Sequence, residues 1–194
     1  MSRYTRWVPI LFVVSLVFLL MHVLDDALFL NEPADWGVSV PEFLAIVASF
    51  YLIIPPLGAA LAGRGESLGF VIVLLYALQA FYGAGLNHLR HLTGEFGGAG
   101  FVPRALAMLG VTWGDIRGHG FLTGLAAMLG LGVTNPHTHT WWSTAIAVID
   151  VLLNVPLVAL CVLALIQVRS SARFRQPDEL TAPSKIESPK HSEN

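Results

Sequence analysis

The chain has 194 residues, of which 55% are hydrophobic and only 12% are charged, and its formal net charge is −2. Soluble domains carry about 25% charged residues, so the composition excludes an ordinary water-soluble domain and predicts a polytopic protein embedded in a lipid bilayer. The small net charge offers no basic patch for phosphates, so we expect no nucleic-acid partner. The single cysteine, Cys161, excludes an intrachain disulfide and any multi-cysteine metal site.

Four apolar segments are each long enough to cross a hydrocarbon core of about 30 Å, which takes roughly 20 helical residues. They cover residues 7–30, 41–62, 67–92 and 141–168. In the second segment, Pro55 and Pro56 remove two backbone donors, so we expect a kink there. The sequence therefore predicts an all-α integral membrane protein whose residues 1–169 form a four-helix transmembrane bundle.

Residues 93–140, between the third and fourth segments, contain only short apolar pieces. The pieces at 101–111 and 121–133 are shorter than a span and are separated by Asp115 and Arg117. They can form interfacial helices or a re-entrant hairpin, or the second piece can form a fifth span. With four spans, the whole stretch becomes an extracytoplasmic insertion that dips partly into the membrane.

The arginines around the apolar segments indicate the orientation of the chain, because short loops rich in Lys and Arg tend to lie on the cytoplasmic side. They occur before the first segment, between the second and third, and directly after the fourth: Arg3, Arg6, Arg64, Arg169, Arg173 and Arg175. Both termini are therefore expected in the cytoplasm, with the bundle in the plasma membrane. This arrangement requires an even number of crossings and favours four spans over five.

The C-terminal residues 170–194 are rich in Ser, Pro, Lys and Glu. It carries too few apolar side chains to offset the entropy lost on ordering. We expect a disordered cytoplasmic tail.

Six of the seven histidines fall near the outer membrane surface if the chain crosses four times. They are His22, His88, His91, His119, His137 and His139. Neutral imidazoles grouped with carboxylates at one membrane level can bind a metal, a haem or protons.

The first histidine lies in a short acidic group. His22, Asp25 and Asp26 are spaced by three and four residues, so they lie on adjoining parts of one helix face. A carboxylate there can accept the ring N–H and raise the basicity of the other ring nitrogen. The alternative is that these residues only end the span and form hydrogen bonds in the headgroup region.

Four of the other five histidines form two pairs. His88 and His91 are three residues apart and can chelate one metal if the helix continues through both, and His137 and His139 alternate in a loop. The predicted zinc or copper ligands are His88, His91, His137, His139, Asp25 and Asp26. Bis-histidine haem would instead use His22 and His88. For each pair, the alternative is ordinary solvated polar chemistry.

Three polar residues lie deeper in the apolar segments. Asp150 and Asn154 are four residues apart in the fourth segment, and Gln79 lies near the middle of the third. An ionisable side chain at this depth indicates a functional site by default. The alternative is that Asp150 hydrogen-bonds to Gln79 or Tyr76 and only holds the helices together.

Four functions agree with these patterns. The first is a membrane protein that binds a metal ion or haem through its outer His/Asp cluster. The second is a small transporter or channel-like subunit with a midplane Asp/Asn/Gln path. If the protein is an enzyme, we expect a membrane-embedded metal-dependent hydrolase with Asp25 or Asp26 as its base. The fourth is a structural accessory subunit, within a homo-oligomer or a larger membrane complex.

Overall fold

The computed structural model of the chain describes residues 3–86, 88–89, 107–112, 115, 117–128 and 140–175. Every regular element within these ranges is a helix. The elements are α1 (Arg3–Leu28), α2 (Glu32–Trp36), α3 (Val40–Tyr51), α4 (Ile54–Gly63), α5 (Ser67–Ala80) with a π-helical continuation (Phe81–Leu86), α6 (Phe121–Met128) and α7 (Trp141–Arg175).

Four helical units in the described ranges are long and apolar enough to cross a membrane, as the sequence predicts. They are Arg3–Leu28, Val40–Gly63, Ser67–Leu86 and Trp141–Ser170. Helix α7 itself continues beyond the predicted span to Arg175, so residues 170–175 of the predicted disordered tail are helical. Extending an existing helix adds one hydrogen bond for each residue fixed, so a polar continuation without proline costs little. The rest of the predicted disordered tail, 176–194, lies outside the described residues.

The expected kink in the second segment is confirmed. Helix α3 ends at Tyr51 and α4 begins at Ile54. The ring nitrogens of Pro55 and Pro56 cannot donate to the carbonyls of Tyr51 and Leu52, so the α-helical hydrogen-bond ladder is interrupted here. At its other end, α3 is closed by a capping box in which the Ser39 side chain accepts from the backbone N–H of Glu42.

Helix α1 packs against α4, α5 and α7 through one stripe of side chains, spaced alternately by four and three residues. The stripe consists of Val8, Phe12, Ser15, Leu19, His22 and Asp26, all of them buried. The other side of α1 presents large apolar residues such as Trp7, Val13 and Val17 to the outside of the bundle. This distribution suits a helix that contacts lipid on one side and polar neighbours on the other.

Two short helices, α2 and α6, cover the end of the bundle at which α1 ends. The Arg117 Nη2 atom lies 2.6 Å from Asp35 Oδ1, and the backbone N–H of Gly120 donates to the carbonyl of Trp36. A Cβ atom on Gly124 would lie 2.3 Å from the Trp36 ring, so α6 packs closely on that indole. The helix α6 in the described part of the predicted insertion has eight residues, which is too short to span a membrane.

Candidate metal site and the polar core around it

Three potential metal ligands meet inside the bundle, close to the end of α1. One ligand atom each from His22, Asp26 and His88 lies within 4.8 Å of the other two, and all three side chains are buried. The His22 Nε2 atom is 3.2 Å from Asp26 Oδ2, and His88 Nε2 is 4.0 Å from the same oxygen. The predicted pairing of His22 with a carboxylate on its own helix face is therefore confirmed.

Local helix geometry brings His88 to this cluster. The chain between Gln79 and His88 passes through the π-helical segment Phe81–Leu86, in which each residue turns the chain by less than in an α-helix. The smaller rotation keeps Gln79 and His88 on the same side, and both line one cavity. Gly85 allows the segment to lie against α7, since a Cβ atom there would be 2.6 Å from Val151 Cγ2.

A cavity of about 60 Å³ adjoins the cluster and is lined by His22, Asp26, His88 and Glu32, among others. The Glu32 and Asp26 carboxyl groups are near enough to influence each other electrostatically. Burial raises the pKa of the Glu32 carboxyl above its ordinary value. The Trp36 indole N–H donates to Glu32 Oε1 at 3.2 Å and orients this carboxyl group. A fourth oxygen donor thus lies beside the three clustered ligands.

Asp25 has a different role from Asp26, the next residue in α1. Its Oδ1 atom accepts from the Trp142 indole N–H at 2.9 Å, and its Oδ2 atom accepts from the Ser143 hydroxyl. Asp25 therefore joins α1 to the start of α7 and does not belong to the ligand cluster. Its prediction as a metal ligand is not supported, because adjacent helical residues point about 100° apart.

A hydrogen-bonded network lies deeper in the bundle. The Ser15 hydroxyl is 3.0 Å from the Tyr76 hydroxyl and donates to Asn154 Oδ1 at 2.9 Å. The Asn154 amide donates to the backbone carbonyl of Asp150 at 2.8 Å. Helices α1, α5 and α7 are thus connected by polar groups at one level.

Of the two interpretations of Asp150, the one in which it hydrogen-bonds to Gln79 or Tyr76 is contradicted by the structure. Tyr76 pairs with Ser15, and Gln79 Oε1 accepts from the Tyr51 hydroxyl at 2.6 Å. Among the described residues, neither carboxyl oxygen of Asp150 has a hydrogen-bond partner, although the side chain is 0% exposed. The groups expected to satisfy Asp150 are already used by neighbours on α1 and α3.

The geometry does not suit a bis-histidine haem at His22 and His88. The two imidazole rings pack edge to face, with their centroids 4.2 Å apart. A haem iron ligated from both sides holds its flat macrocycle between the two imidazoles. Rings already in contact leave no room for that layer, whereas a single ion requires none.

The structure brings together only part of the predicted histidine group. His22 and His88 meet, while His119 lies exposed and its backbone N–H donates to Thr123 Oγ1. The other predicted ligands, His91, His137 and His139, lie outside the described residues.

Three residues of this region were missed by sequence reasoning: Ser15, Glu32 and Tyr51. Ser15 precedes His22 by seven residues and lies on the same helix stripe, so its position was a usable signal. Glu32 resembled an ordinary loop acid, although Trp36 follows it by one helical turn. Nothing near Tyr51 in the sequence indicates that its hydroxyl reaches Gln79, because that contact depends on helix packing.

No protein-family model matches this chain, and no curated protein or solved structure shows significant similarity to it. Its function is therefore inferred from the geometry of these side chains.

Proposed function

We propose that this chain is a membrane protein that binds one divalent first-row transition-metal ion through His22, Asp26 and His88. The observation that carries the proposal is the convergence of three buried ligand atoms within 4.8 Å. Two imidazoles and one carboxylate form a ligand set that suits zinc and also suits non-haem iron. Elemental analysis decides between these ions and copper.

The distances are close to those that an ion requires. A tetrahedral ion with bonds of about 2.0–2.1 Å holds its ligand atoms roughly 3.3 Å apart. The His22–Asp26 separation of 3.2 Å already meets this value, and the His88–Asp26 separation of 4.0 Å needs a small inward movement of one side chain. Side-chain rotation alone can supply that movement.

The surroundings favour a bound cation. Asp26 and Glu32 together offer up to two negative charges that balance a divalent ion, so the ion need not be buried as an isolated charge. The adjoining cavity of about 60 Å³ has room for a few water molecules, which need roughly 10–15 Å³ each on this measure. Glu32 is then suited to hydrogen-bond a metal-bound water. If the site is hydrolytic, Glu32 is better placed as the base than Asp25, which is held by Trp142 and Ser143.

The proposed setting is the plasma membrane, with four spans and both termini in the cytoplasm. The four long apolar helices and the positions of the arginines support this arrangement. It places the metal site near the outer surface, where an ion can enter from outside the cell.

The first prediction is that purified protein carries close to one equivalent of a transition metal, which His88→Ala loses and His119→Ala keeps. Removing His88 takes away one of three protein ligands, while His119 is an exposed histidine away from the site. Loss of a ligand should weaken binding by at least the roughly 10–100-fold seen when a supporting second-shell partner is removed. Elemental mass spectrometry and competition with a chromogenic chelator measure the effect.

Equal metal content in both variants would disprove the site. The site would also be disproved if the wild-type protein contained no metal and failed to bind added zinc, iron or copper. Thermal unfolding of each variant in detergent micelles establishes that a lost ion does not merely reflect a lost fold.

A second candidate function, a small transporter, rests on Asp150. A fully buried carboxyl group without a hydrogen-bond partner in the described chain is costly to maintain and is typical of proton pathways in membranes. In the described part of the chain, the titratable groups that interact electrostatically with Asp150 include Tyr76 on α5, Tyr51 on α3 and Asp26 on α1. A proton path between Asp150 and the metal site would couple the two.

For this candidate, Asp150→Asn is expected to abolish proton flux into proteoliposomes that contain an entrapped pH-sensitive dye. The asparagine amide has nearly the same shape as the aspartate carboxyl group but cannot take up and release a proton near neutral pH. Asp115→Asn is the matched control, since Asp115 is exposed and bonds only within its own turn. Flux from the wild type that does not exceed that of protein-free liposomes would rule out transport of protons.

A further inference from the structure

The structure contains a second, larger cavity of about 260 Å³ beside the proposed metal site. From its contacts we infer that this cavity binds the hydrocarbon chain of a hydroxyl-bearing membrane amphiphile and directs the polar end of that molecule toward the metal site. This inference rests on the proposed metal site and membrane setting, and it names the class of molecule that the site receives.

The walls of the second cavity are apolar and come from three separate elements. Ile54 and Pro55 lie at the break between α3 and α4, Ile72 and Leu75 lie on α5, and Leu125 lies on α6. The cavity therefore lies beside the break between α3 and α4. The stacked rings of Phe50 and Phe121, 5.6 Å apart, bring α6 against α3 next to it.

One end of this cavity is polar. Tyr51 and Gln79 line both the apolar cavity and the smaller cavity of the metal site, so their hydrogen-bonded pair forms a common wall. In the described part of the chain, the Gln79 amide makes no other hydrogen bond than the one it accepts from Tyr51. Its N–H groups therefore remain able to donate to a ligand oxygen.

A hydrogen-bond acceptor completes this polar end. Tyr51 lines the cavity, and Pro55 has no N–H to supply the helical donor of the Tyr51 carbonyl. A backbone carbonyl at this depth in a bilayer needs a donor, since the cost of leaving it unpaired is several kcal/mol. A hydroxyl group accepts from the Gln79 amide and donates to such a carbonyl, which satisfies both sides at once.

The combination selects an amphiphile rather than a small polar solute or a pure hydrocarbon. A polar solute gains nothing from the apolar walls, and a hydrocarbon leaves the amide and the carbonyl unsatisfied. A chain with a terminal hydroxyl meets both requirements and can enter sideways from the bilayer, because Ile54 and Leu75 are exposed on the outside of the bundle.

The experiment uses full-length protein in nanodiscs and a long-chain alcohol that carries a mid-chain diazirine as the probe. After illumination, mass spectrometry is expected to find the label concentrated on the walls of the larger cavity, with most of it displaced by unlabelled alcohol. Leu75→Trp fills the cavity and should lower labelling several-fold. Leu152→Trp should leave the labelling unchanged. Leu152, on α7, is 65% exposed and does not line the cavity, whereas Leu75, which is 62% exposed, does.

A further variant tests the polar end. Tyr51→Phe leaves the apolar walls intact but removes the hydroxyl that fixes Gln79, so the preference for the alcohol over the corresponding alkane probe should fall. Labelling spread evenly over the helices and not displaced by competitor would mean ordinary surrounding lipid and would overturn the inference. Equal labelling of Leu75→Trp and Leu152→Trp would also overturn the inference.

The metal content of the same samples separates the two proposals. Displaceable labelling of a protein that binds no metal would support the lipid cavity and reject the metal site. A metal-loaded wild type without displaceable labelling would reject the cavity alone. Leu75→Trp should keep its metal, since Leu75 does not contact the ligands.

Discussion

Gly69→Ala is expected to destabilise the bundle by about 3 kcal/mol or more, because it forces overlap between two helix backbones. A Cβ atom at position 69 would lie 2.2 Å from the backbone nitrogen of Ala62 and 2.7 Å from the carbonyl oxygen of Gly58. These are main-chain atoms of α4, so neither can rotate away as a side chain can. Helices α4 and α5 must then separate, and contact between their small residues is the main source of their association.

The control for this prediction is Gly63→Ala in the same hairpin. A Cβ atom there meets its nearest neighbour, Pro9 Cγ, at 3.5 Å, which is ordinary van der Waals contact. Alanine also favours a helix over glycine by up to about 1 kcal/mol, so this variant should be neutral or slightly more stable. Reversible unfolding in mixed micelles gives both free energies. Similar stabilities for the two variants would mean that α4 and α5 do not pack as closely as described.

Asp25→Ala is expected to cost about 3 kcal/mol of stability. The substitution removes the acceptor of the Trp142 indole and of the Ser143 hydroxyl, and each buried donor left unsatisfied costs about 1–3 kcal/mol. These are contacts between α1 and α7, two of the most extensively packed helices in the bundle. If the proposed metal site exists, the folded fraction should retain the ion, since Asp25 is not part of the His22, Asp26 and His88 cluster.

Two variants control this prediction. Asp25→Asn retains one side-chain oxygen and should recover part of the lost stability. Asp115→Ala removes an exposed acceptor that bonds only to Thr112, so its cost should stay within about 0.5 kcal/mol. If Asp25→Ala and Asp115→Ala lower the free energy of unfolding by the same amount, the hydrogen bonds between α1 and α7 contribute little.

The helices were predictable because their causes are local. Long apolar segments, the Pro55–Pro56 pair and the tryptophans at the start of α7 each act through a single stretch of chain. Local signals are weak at the polar end of α7, which extends into the predicted tail as far as Arg175, and at the five-residue helix α2, which no apolar pattern announces.

The candidate site was predictable only in part. His22 and Asp26 share a helix face, and a period of 3.6 residues is enough to pair them. His88 joins them because a π-helical segment changes the register of the third helix, and no simple periodicity predicts such a segment. The choice between the two interpretations of Asp150 could not be made from the sequence for a related reason: the competing partners of Tyr76 and Gln79, which are Ser15 and Tyr51, lie on other helices.

The sequence alone determined the class of this protein: hydropathy, helix length and the spacing within α1 follow from the order of residues along one helix. Tertiary structure decided which polar groups share a site. It separated Asp25 from Asp26, added Glu32 from the short helix α2, and placed Tyr51 and Gln79 between the His/Asp cluster and the apolar cavity. The physical reason is distance along the chain: contacts between helices depend on packing and register, which summed local propensities do not contain.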